Sequence, residues 1–217
     1  MLPRYCRKAR DGGLLIPVAL ASGERLEQSD WRDCQNCLAG DDNACTALFK
    51  RYERRIAHLM WRFTRDRDAQ GELVQEVFVQ AYLSMRRYKP GPAPFEHWLV
   101  TIATRVGYQF WKSQARRGRM QPLEGLDPAA ARQTDQIEPA EAAELLHKLL
   151  AQLPPADRLV LTLMYFEEAS IEEIARRSGW NKAMVKMRAY RARGRLRRII
   201  EDRNLTEFFT GIGHGTA

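Results

Sequence analysis

The segment SGWNKAMVKMRAYRARGRLRRII, residues 178–200, concentrates positive charge, with eight lysines and arginines between Lys182 and Arg198. Like charges on one short helix repel each other and disfavour the helix in isolation. The segment is therefore either a loosely ordered, solvated tail or a surface arranged for a polyanion. The whole chain has 217 residues, a net charge of +8 and a pI of about 9.6. This balance favours an acidic partner, most often nucleic acid or an anionic membrane surface.

The spacing of residues around this segment is that of a helix-turn-helix. Ser170 can cap a helix in which Ile174 and Ala175 face inward, Gly179 can make the tight turn, and Asn181 can cap a second helix. In the second helix, apolar residues recur at alternating steps of four and three at Val185, Ala189, Ala192, Leu196 and Ile199. This seam would bury one side of the helix and leave the basic side free for phosphates and base edges. We favour DNA binding over a solvated basic helix.

Helical periodicity extends over nearly all of the chain outside residues 119–139 and the termini, and no segment shows the sustained alternation of a strand. Gly40 and Asp41 should separate the first two helices, and KPGPAP (residues 89–94) should end the third. The predicted N-terminal helices begin at residue 29 or 30, 43, 68 and 95, and the first three end near 38, 64 and 87. The third should bury Leu73, Val74, Val77, Phe78, Ala81 and Tyr82.

Residues 119–139 contain three prolines, no hydrophobic periodicity and a net charge of −2 from four acidic residues against two arginines. We predict a flexible acidic linker here. The fold is then all-α: two small helical domains, residues 29–118 and 140–203, of which the second contains the helix-turn-helix, with a tail at 204–217. Residues 1–28 are predicted to be a disordered extension, or to be absent from the real protein because the start codon was assigned too early. They also faintly resemble a signal peptide.

Four cysteines, Cys6, Cys34, Cys37 and Cys45, raise the question of metal or redox chemistry. The Cys34-x-x-Cys37 spacing suits a redox pair or half of a zinc site, but a second pair of ligands is missing and the four histidines are scattered. We favour core packing for Cys34 and Cys37, and predict no metal and no cofactor. The longest apolar run, residues 14–21, is too short to span a bilayer and contains Pro17. We predict a cytoplasmic protein without membrane insertion.

Two stretches resemble a known family. ELVQEVFVQAYLSMRRY followed by PFEHWLVTIATRVGYQFWKSQARRGR is similar to the second conserved region of bacterial sigma factors. LPPADRLVLTLMYFEEASIEEIARRSGWNKAMVKMRAYRARGRLR is similar to their fourth region. Because the two regions stand in the right order with only a linker between them, the chain resembles the extracytoplasmic-function (ECF) group of the sigma-70 family.

The resemblance implies binding to core RNA polymerase through the third helix. Its outer face would meet the clamp helices of the β′ subunit, and Glu72, Gln75 and Glu76 lie opposite the apolar stripe of that helix. The alternative is a solvated face with intrahelical pairs. The β subunit, promoter DNA and an anti-sigma factor are further partners that the resemblance implies, and the acidic linker would enter the polymerase cleft or serve only as a tether.

Recognition and melting of the −10 element would fall to the loop after the third helix and the exposed side of the fourth. There, aromatic residues can stack on bases while cations follow the phosphates. The residues that the resemblance implies are Tyr88, Lys89, Phe95, His97, Thr101, Arg105, Tyr108, Lys112 and Arg116, whereas Trp98 is expected in the core. Arg105 and Gln109 stand where the family usually has Asn and Asp, which puts the usual −10 preference in doubt.

Recognition of the −35 element would use the second helix of the helix-turn-helix. The implied contact residues are Asn181, Lys182, Met184, Lys186, Met187, Arg188 and Arg191. Met184 and Met187 replace the usual Thr and Ser, so contacts with thymine methyl groups or packing would matter more here.

Two other classes of function compete with a sigma factor. A stand-alone helix-turn-helix regulator would bind duplex DNA without polymerase, but it leaves the polar face of the third helix unexplained. An enzyme acting on nucleic acid would need clustered carboxylates, histidines or a nucleophile with its base, and the sequence offers none. We therefore predict a non-catalytic subunit that directs polymerase to promoters.

Overall fold

The computed structural model describes residues 18–89, 94–118, 139–203 and 205, with side chains described from Gln28 onwards in the first range and from Ala143 onwards in the third. Over these residues the chain is helical, without strands, as predicted. The helices are α1 (Val18–Leu38), α2 (Asp42–Met60), α3 (Arg67–Ser84), α4 (Phe95–Arg116), α5 (Pro139–Ala151), α6 (Pro155–Tyr165), α7 (Ile171–Ser178) and α8 (Lys182–Asp202), with a 3₁₀ turn at Met85–Arg87.

Local chemistry sets several of the helix ends. Gly40 has a φ of +97°, and the Asp41 carboxylate accepts hydrogen bonds from the backbone N–H groups of Asn43 and Ala44. This stop and restart between α1 and α2 is the one predicted from the sequence. Asp66 caps α3 in the same way, with bonds of 2.8 and 3.1 Å from the next helical N–H groups.

The start of α1 differs from the prediction. The helix begins at Val18, so Asp30 lies inside it and caps nothing. Its buried carboxylate instead accepts hydrogen bonds from the Tyr52 hydroxyl and the Arg51 guanidinium of α2. The extension predicted as disordered over residues 1–28 is therefore helical from residue 18, and its first 17 residues lie outside the described part.

Other predicted segments fall partly or wholly outside the described residues. These are residues 90–93 of the predicted helix-breaking loop, residues 119–138 of the predicted linker, and the tail apart from Leu205. Pro139, the last residue of the predicted linker, begins α5. The Leu205 side chain is buried against Leu145 and Leu149 of that helix.

Helices α1 to α4 enclose one apolar core. Its most enclosed side chains come from three helices and the segments that follow α2 and α3: Leu48, Ile56, Leu59, Met60, Phe63, Val77, Met85, Phe95, Leu99 and Ala103. Leu73, Val77 and Ala81 confirm the predicted inward stripe of α3. Tyr82, predicted to be part of it, is instead half exposed, because it lies at the edge of that stripe where no neighbouring helix covers it.

Helices α5 to α8 form the second unit, and it packs directly against the first. Leu159, Leu163, Ile174 and Val185 belong to the same continuous hydrophobic cluster as the first core. The contact is made by α4 against α6 and α7. Apolar burial of this kind is the main favourable contribution to joining two helical units.

Ion pairs border this apolar contact. The Glu167 side chain, only 4% exposed, accepts a 3.0 Å hydrogen bond from Arg55 and lies 3.5 Å from the Arg62 guanidinium. Arg65 lies 3.6 Å from Glu144 of α5. A buried carboxylate between two arginines fixes geometry more than it adds stability, since its desolvation offsets much of the attraction.

The described helices include none that is both long enough and apolar enough to cross a bilayer. Likewise, no group of three or more histidine, cysteine or acidic side chains in the described ranges could hold a metal ion.

The three cysteines of the described ranges lie in or against the first core. Cys34 and Cys37 are buried, as predicted, but Cys37 is also joined to Cys45 by a disulfide across the α1–α2 turn. This bond was not predicted from the sequence. Burial, with Asp30 and Asp33 nearby, raises the pKa of the Cys34 thiol to about 12. Cys34 therefore stays protonated and unreactive at neutral pH.

Gly107 of α4 lies where a neighbouring ring leaves no room for a side chain. An added Cβ would come within 2.4 Å of the Phe63 ring, which itself stacks 4.6 Å from the Trp111 ring. We predict that Gly107→Ala lowers the free energy of unfolding by about 1–3 kcal/mol, the usual cost of overpacking a core. Urea denaturation measures it.

Gly71→Ala is the matched control, because Gly71 is exposed on α3 and an added Cβ would meet nothing within 4 Å. It should stabilise the chain by about 0.5–1 kcal/mol through helix propensity alone. A Gly107→Ala variant as stable as the Gly71→Ala variant would contradict the packing described for α2 and α4.

Candidate nucleic-acid interface

The turn between α7 and α8 has the predicted helix-turn-helix geometry. The Ser170 hydroxyl accepts a 3.1 Å hydrogen bond from the Glu173 N–H, and the Asn181 side chain accepts a 2.7 Å bond from the Met184 N–H. Gly179, with a φ of +77°, ends α7 in the left-handed conformation. Each feature satisfies backbone groups that a helix end leaves unpaired.

The buried and exposed sides of α8 are arranged as the sequence indicates. Val185, Ala189 and Ala192 are fully buried, and Leu196 and Ile199 are partly buried on the same seam. Six of the seven residues predicted to contact the −35 element are exposed: Asn181, Lys182, Met184, Lys186, Met187 and Arg191. Met184 and Met187 are 40% and 51% exposed, which leaves their apolar side chains available for contact.

Arg188 is the exception among the predicted −35 residues. Its guanidinium lies 4.6 Å from the centre of the Trp180 ring and 3.8 Å from the buried Asp157 carboxylate. These contacts turn the side chain towards α6 and the turn, away from the exposed face. Arg188 thus packs the motif together and is half-buried, and its predicted contact with DNA stays a prediction.

Other basic residues of α8 also have partners within the protein. Arg195 pairs with Asp157, Arg193 donates a 3.3 Å hydrogen bond to the Tyr165 hydroxyl, and Lys182 lies 2.8 Å from Glu172. These partners explain how one helix can carry eight lysines and arginines without strong repulsion between them. Part of the charge is neutralised locally, and Lys186 and Arg191 stay exposed without such a partner in the described structure.

Two residues predicted to contact the −10 element are core residues instead. Phe95 is fully buried and Tyr88 is 8% exposed. Their rings meet edge to face at 5.2 Å, and both pack against the Trp98 ring. Trp98 was predicted to lie in the core, and it is half-buried there, so that prediction is confirmed in part. Because these rings are occupied within the first unit, Tyr88 and Phe95 have no free face on which a base could stack.

The middle of α4 contacts the helix-turn-helix. Arg176 of α7 donates hydrogen bonds to the Thr101 hydroxyl, at 3.2 Å, and to the His97 carbonyl, at 3.4 Å. Tyr108 meets Trp180 edge to face at 5.6 Å. Three predicted −10 residues thus face the second unit. Sequence reasoning missed Arg176 and Trp180 as their partners, because residues about 75 positions apart carry no local signal of contact.

The remaining predicted −10 residues lie on the open part of α4 and its approach. Lys89, Arg105 and Arg116 are exposed, and Lys112 is half-buried with its ammonium 5.5 Å from the Tyr108 ring. Arg105 and Gln109 also line a groove between α3 and α4 with Glu76 and Gln80. The structure therefore retains a basic surface beside α4, without the two aromatic residues at its start.

The outer face of α3 carries more than the predicted polar residues. Glu72, Gln75 and Glu76 are exposed, and Val79, Tyr82 and Leu83 continue the same face at 51%, 50% and 68% exposure. We call these six residues the α3 stripe. The apolar half of the α3 stripe was not predicted, because Tyr82 was expected in the core and no role was expected for Val79 and Leu83. A 3/4 spacing of exposed Val79, Tyr82 and Leu83 was the available signal.

Comparison with known proteins agrees with the two helical units. The Sigma-70 region 2 family profile matches residues 48–117, and the Sigma-70 region 4 profile matches residues 143–196. Together these matches cover more than half of the chain. The first ends close to the end of α4, and the second ends within α8.

Relatives that match most of the chain are also sigma factors by name. The ECF RNA polymerase sigma factor SigE of Mycolicibacterium smegmatis is 29% identical over 199 residues, which cover 83% of this chain and 75% of the relative. The ECF RNA polymerase sigma-E factor of Escherichia coli K12 is 26% identical over 164 residues, or 71% of this chain and 85% of the relative.

A solved structure supports the fold. CnrH, determined in complex with the cytosolic domain of CnrY, superposes with a TM-score of 0.52 at 21% identity, covering 80% of this chain and 98% of CnrH. With both regions matched in the same order and these relatives in agreement, the chain belongs to the extracytoplasmic-function group of the sigma-70 family of RNA polymerase sigma factors.

Proposed function

We propose that this sigma factor acts as a non-catalytic subunit that directs core RNA polymerase to a specific set of promoters through three separate surfaces. The α3 stripe binds core polymerase, the basic surface of α4 takes part in opening the −10 element, and the exposed side of α8 reads the −35 element. Residues 29–118 and 140–203 are the two functional units. The chain would work in the cytoplasm, where polymerase and promoter DNA are.

The α3 stripe is the observation that carries this proposal. Exposed Val79, Tyr82 and Leu83 lie next to Glu72, Gln75 and Glu76 on one helix face. An apolar strip bordered by polar and acidic side chains is typical of a protein–protein contact surface. Its acidic edge suits a partner helix with basic residues, which supports binding to the β′ clamp helices. Contact with the β subunit and inhibition by an anti-sigma factor are parts of the same proposal.

A stand-alone helix-turn-helix regulator is less well supported. The geometry of α7 and α8 suits either function, because both need a basic helix placed against a duplex. Such a regulator has no need for the α3 stripe or for a second basic surface on α4. The names of the relatives also favour the polymerase subunit.

The direct test of the proposed function is transcription with purified core polymerase and fragments of the host's genomic DNA. Addition of the chain should start transcripts at a limited set of positions that share −35 and −10 sequences, as sequencing of the RNA 5′ ends would detect. Transcripts indistinguishable from those of core polymerase alone would reject the function.

Replacing Gln75 and Glu76 together with alanine should weaken association with core polymerase at least about ten-fold, which corresponds to about 1.4 kcal/mol. The free energy of unfolding should change by less than about 0.5 kcal/mol, because both side chains are on the surface. Titration of labelled chain with core polymerase measures the first quantity, and urea denaturation the second.

The matched control replaces Gln35 of α1 and Glu53 of α2, which are exposed on other helices, with alanine. It should bind core polymerase like the unaltered chain. Equal affinities of the two double variants would remove the α3 stripe from the proposed contact.

Charge reversal of Lys186 and Arg191 to glutamate should abolish transcription from promoters that need a −35 element and leave binding to core polymerase intact. If each residue neutralises one phosphate, the slope of log affinity for promoter DNA against log salt should fall by about two. Arg188 is left unchanged because its contacts with Trp180 and Asp157 are internal.

Reversal of Lys50 and Arg54, exposed on α2, changes the net charge by the same amount and is the control. Its salt slope should match that of the unaltered holoenzyme. If both double variants lose the same affinity, the effect is one of overall charge and the proposed −35 contacts are wrong.

A further inference from the structure

A cavity of about 180 Å³ lies at the junction of the two helical units. It is bounded by the segment between α2 and α3, the last turns of α4, and the corner between α5 and α6. Its lining includes Arg65, Asp66, Trp111, Gln114, His147 and Arg158. An apolar cavity of about 150 Å³ can hold a benzene molecule, so this volume suits a small ion or group.

Arg158 is the central cation of this cavity. Its guanidinium lies 4.0 Å from the centre of the Trp111 ring and donates a 3.1 Å hydrogen bond to Nε2 of His147. No carboxylate among the described side chains lies within ion-pair distance of it. Burial, together with nearby Arg65, lowers the pKa of Arg158 to about 9. A guanidinium held in this way still lacks the charged partner that buried arginines normally have.

Arg65 adds a second guanidinium from the other unit. Its Nε is buried and has no hydrogen-bond partner, and its nearest carboxylate, Glu144, is 3.6 Å away. Burial and nearby Arg62 lower the pKa of Arg65 despite the attraction of Glu144. Because Arg65 also contributes to the lowered pKa of Arg158, the two guanidinium groups repel each other across a partly desolvated space.

The uncharged groups of the cavity are also incompletely satisfied. Burial and the two arginines lower the pKa of His147 to about 3, so the ring is neutral at pH 7 and its Nε2 accepts from Arg158. Gln114 Oε1 is buried without a donor. Rotation of this amide by half a turn would direct its NH₂ group to the same place, where it could donate to an anion.

Asp66 is the one acidic residue in the lining, and its Oδ1 is committed to capping α3. The Asp66 carboxylate also lies beyond ion-pair distance of Arg158. A small oxyanion is the missing group that would use an arginine fork, a second arginine and an amide NH₂ at once.

We propose that this cavity binds a single oxyanion of the phosphate type, held between Arg65 of the first unit and Arg158 of the second. The bound anion bridges the two units and stabilises their contact. Binding does not depend on the proposed function. The effect of the bound anion on promoter binding does rest on the proposed function, because the bridged arrangement keeps Thr101 and Tyr108 against the helix-turn-helix. The phosphate is either the free ion or the terminal group of a nucleotide that enters through the open side.

The test is the thermal midpoint of the full chain in increasing inorganic phosphate, with ionic strength held constant by sodium chloride. A ligand at ten times its dissociation constant should raise the midpoint by about 3–6 °C. Arg158→Met should remove this response. Without phosphate, Arg158→Met should be at least as stable as the unaltered chain, because it removes a buried charge that has no counter-ion.

Arg197→Met, an exposed arginine of α8, is the control and should respond to phosphate like the unaltered chain. Phosphate also stabilises proteins non-specifically through exclusion from their surfaces. That effect acts equally on all variants, so the difference between Arg158→Met and Arg197→Met isolates the site. Equal responses of these two variants would overturn the proposal.

If Arg158→Met does not fold, Arg65→Met tests the same cavity from the first unit and should also lose the response. A retained response in that variant overturns the proposal. Adenosine monophosphate in a parallel titration separates the two sources of the phosphate group. A larger response than to inorganic phosphate indicates a nucleotide, and a smaller one indicates the free ion. Neither polymerase nor DNA is present, so failure here leaves the proposed function untouched.

Discussion

Helix α4 is packed on two sides, and this packing decides which surfaces of the molecule stay exposed for partners. One side, with Phe95, Leu99 and Ala103, completes the first core. The other meets the second unit through Thr101, Tyr108 and Trp111. Under the proposed function, α7 must leave α4 before Thr101 and Tyr108 can meet DNA. The α3 stripe and the exposed side of α8 are not covered by this contact.

The contact between the two helical units has a strong apolar part and a charged part that depends on ion pairs and solvent anions. Its apolar part belongs to the continuous core, which favours the closed arrangement through burial alone. Its charged part is less settled, because Glu167 has two arginine partners while Arg158 has no carboxylate partner among the described side chains. Ion pairs and solvent anions can therefore change the free energy of the contact between the units. The change is small compared with the apolar contribution, but large compared with the marginal stability of a protein.

The sequence predicted what depends on local chemistry. The helix-turn-helix caps at Ser170 and Asn181, the Gly179 turn and the Val185 seam follow from short-range patterns that leave few alternatives. Contacts set by tertiary packing could not be predicted in this way. An aromatic residue beside a loop suits a DNA surface as well as a core, so the burial of Tyr88 and Phe95 did not follow from the sequence. The Cys37–Cys45 bond and the inward position of Arg188 likewise depend on which helices meet.

Under the proposed function, the α4 surface that the helix-turn-helix covers in the free chain becomes exposed when the chain works on a promoter. The distance between spin labels at Gln109→Cys on α4 and Ala183→Cys on α8, in a chain that also carries Cys6→Ser, tests it most directly. One short distance is expected in the free chain and a clearly longer one in a complex with core polymerase and promoter DNA. An unchanged short distance in a complex that starts transcription would contradict it.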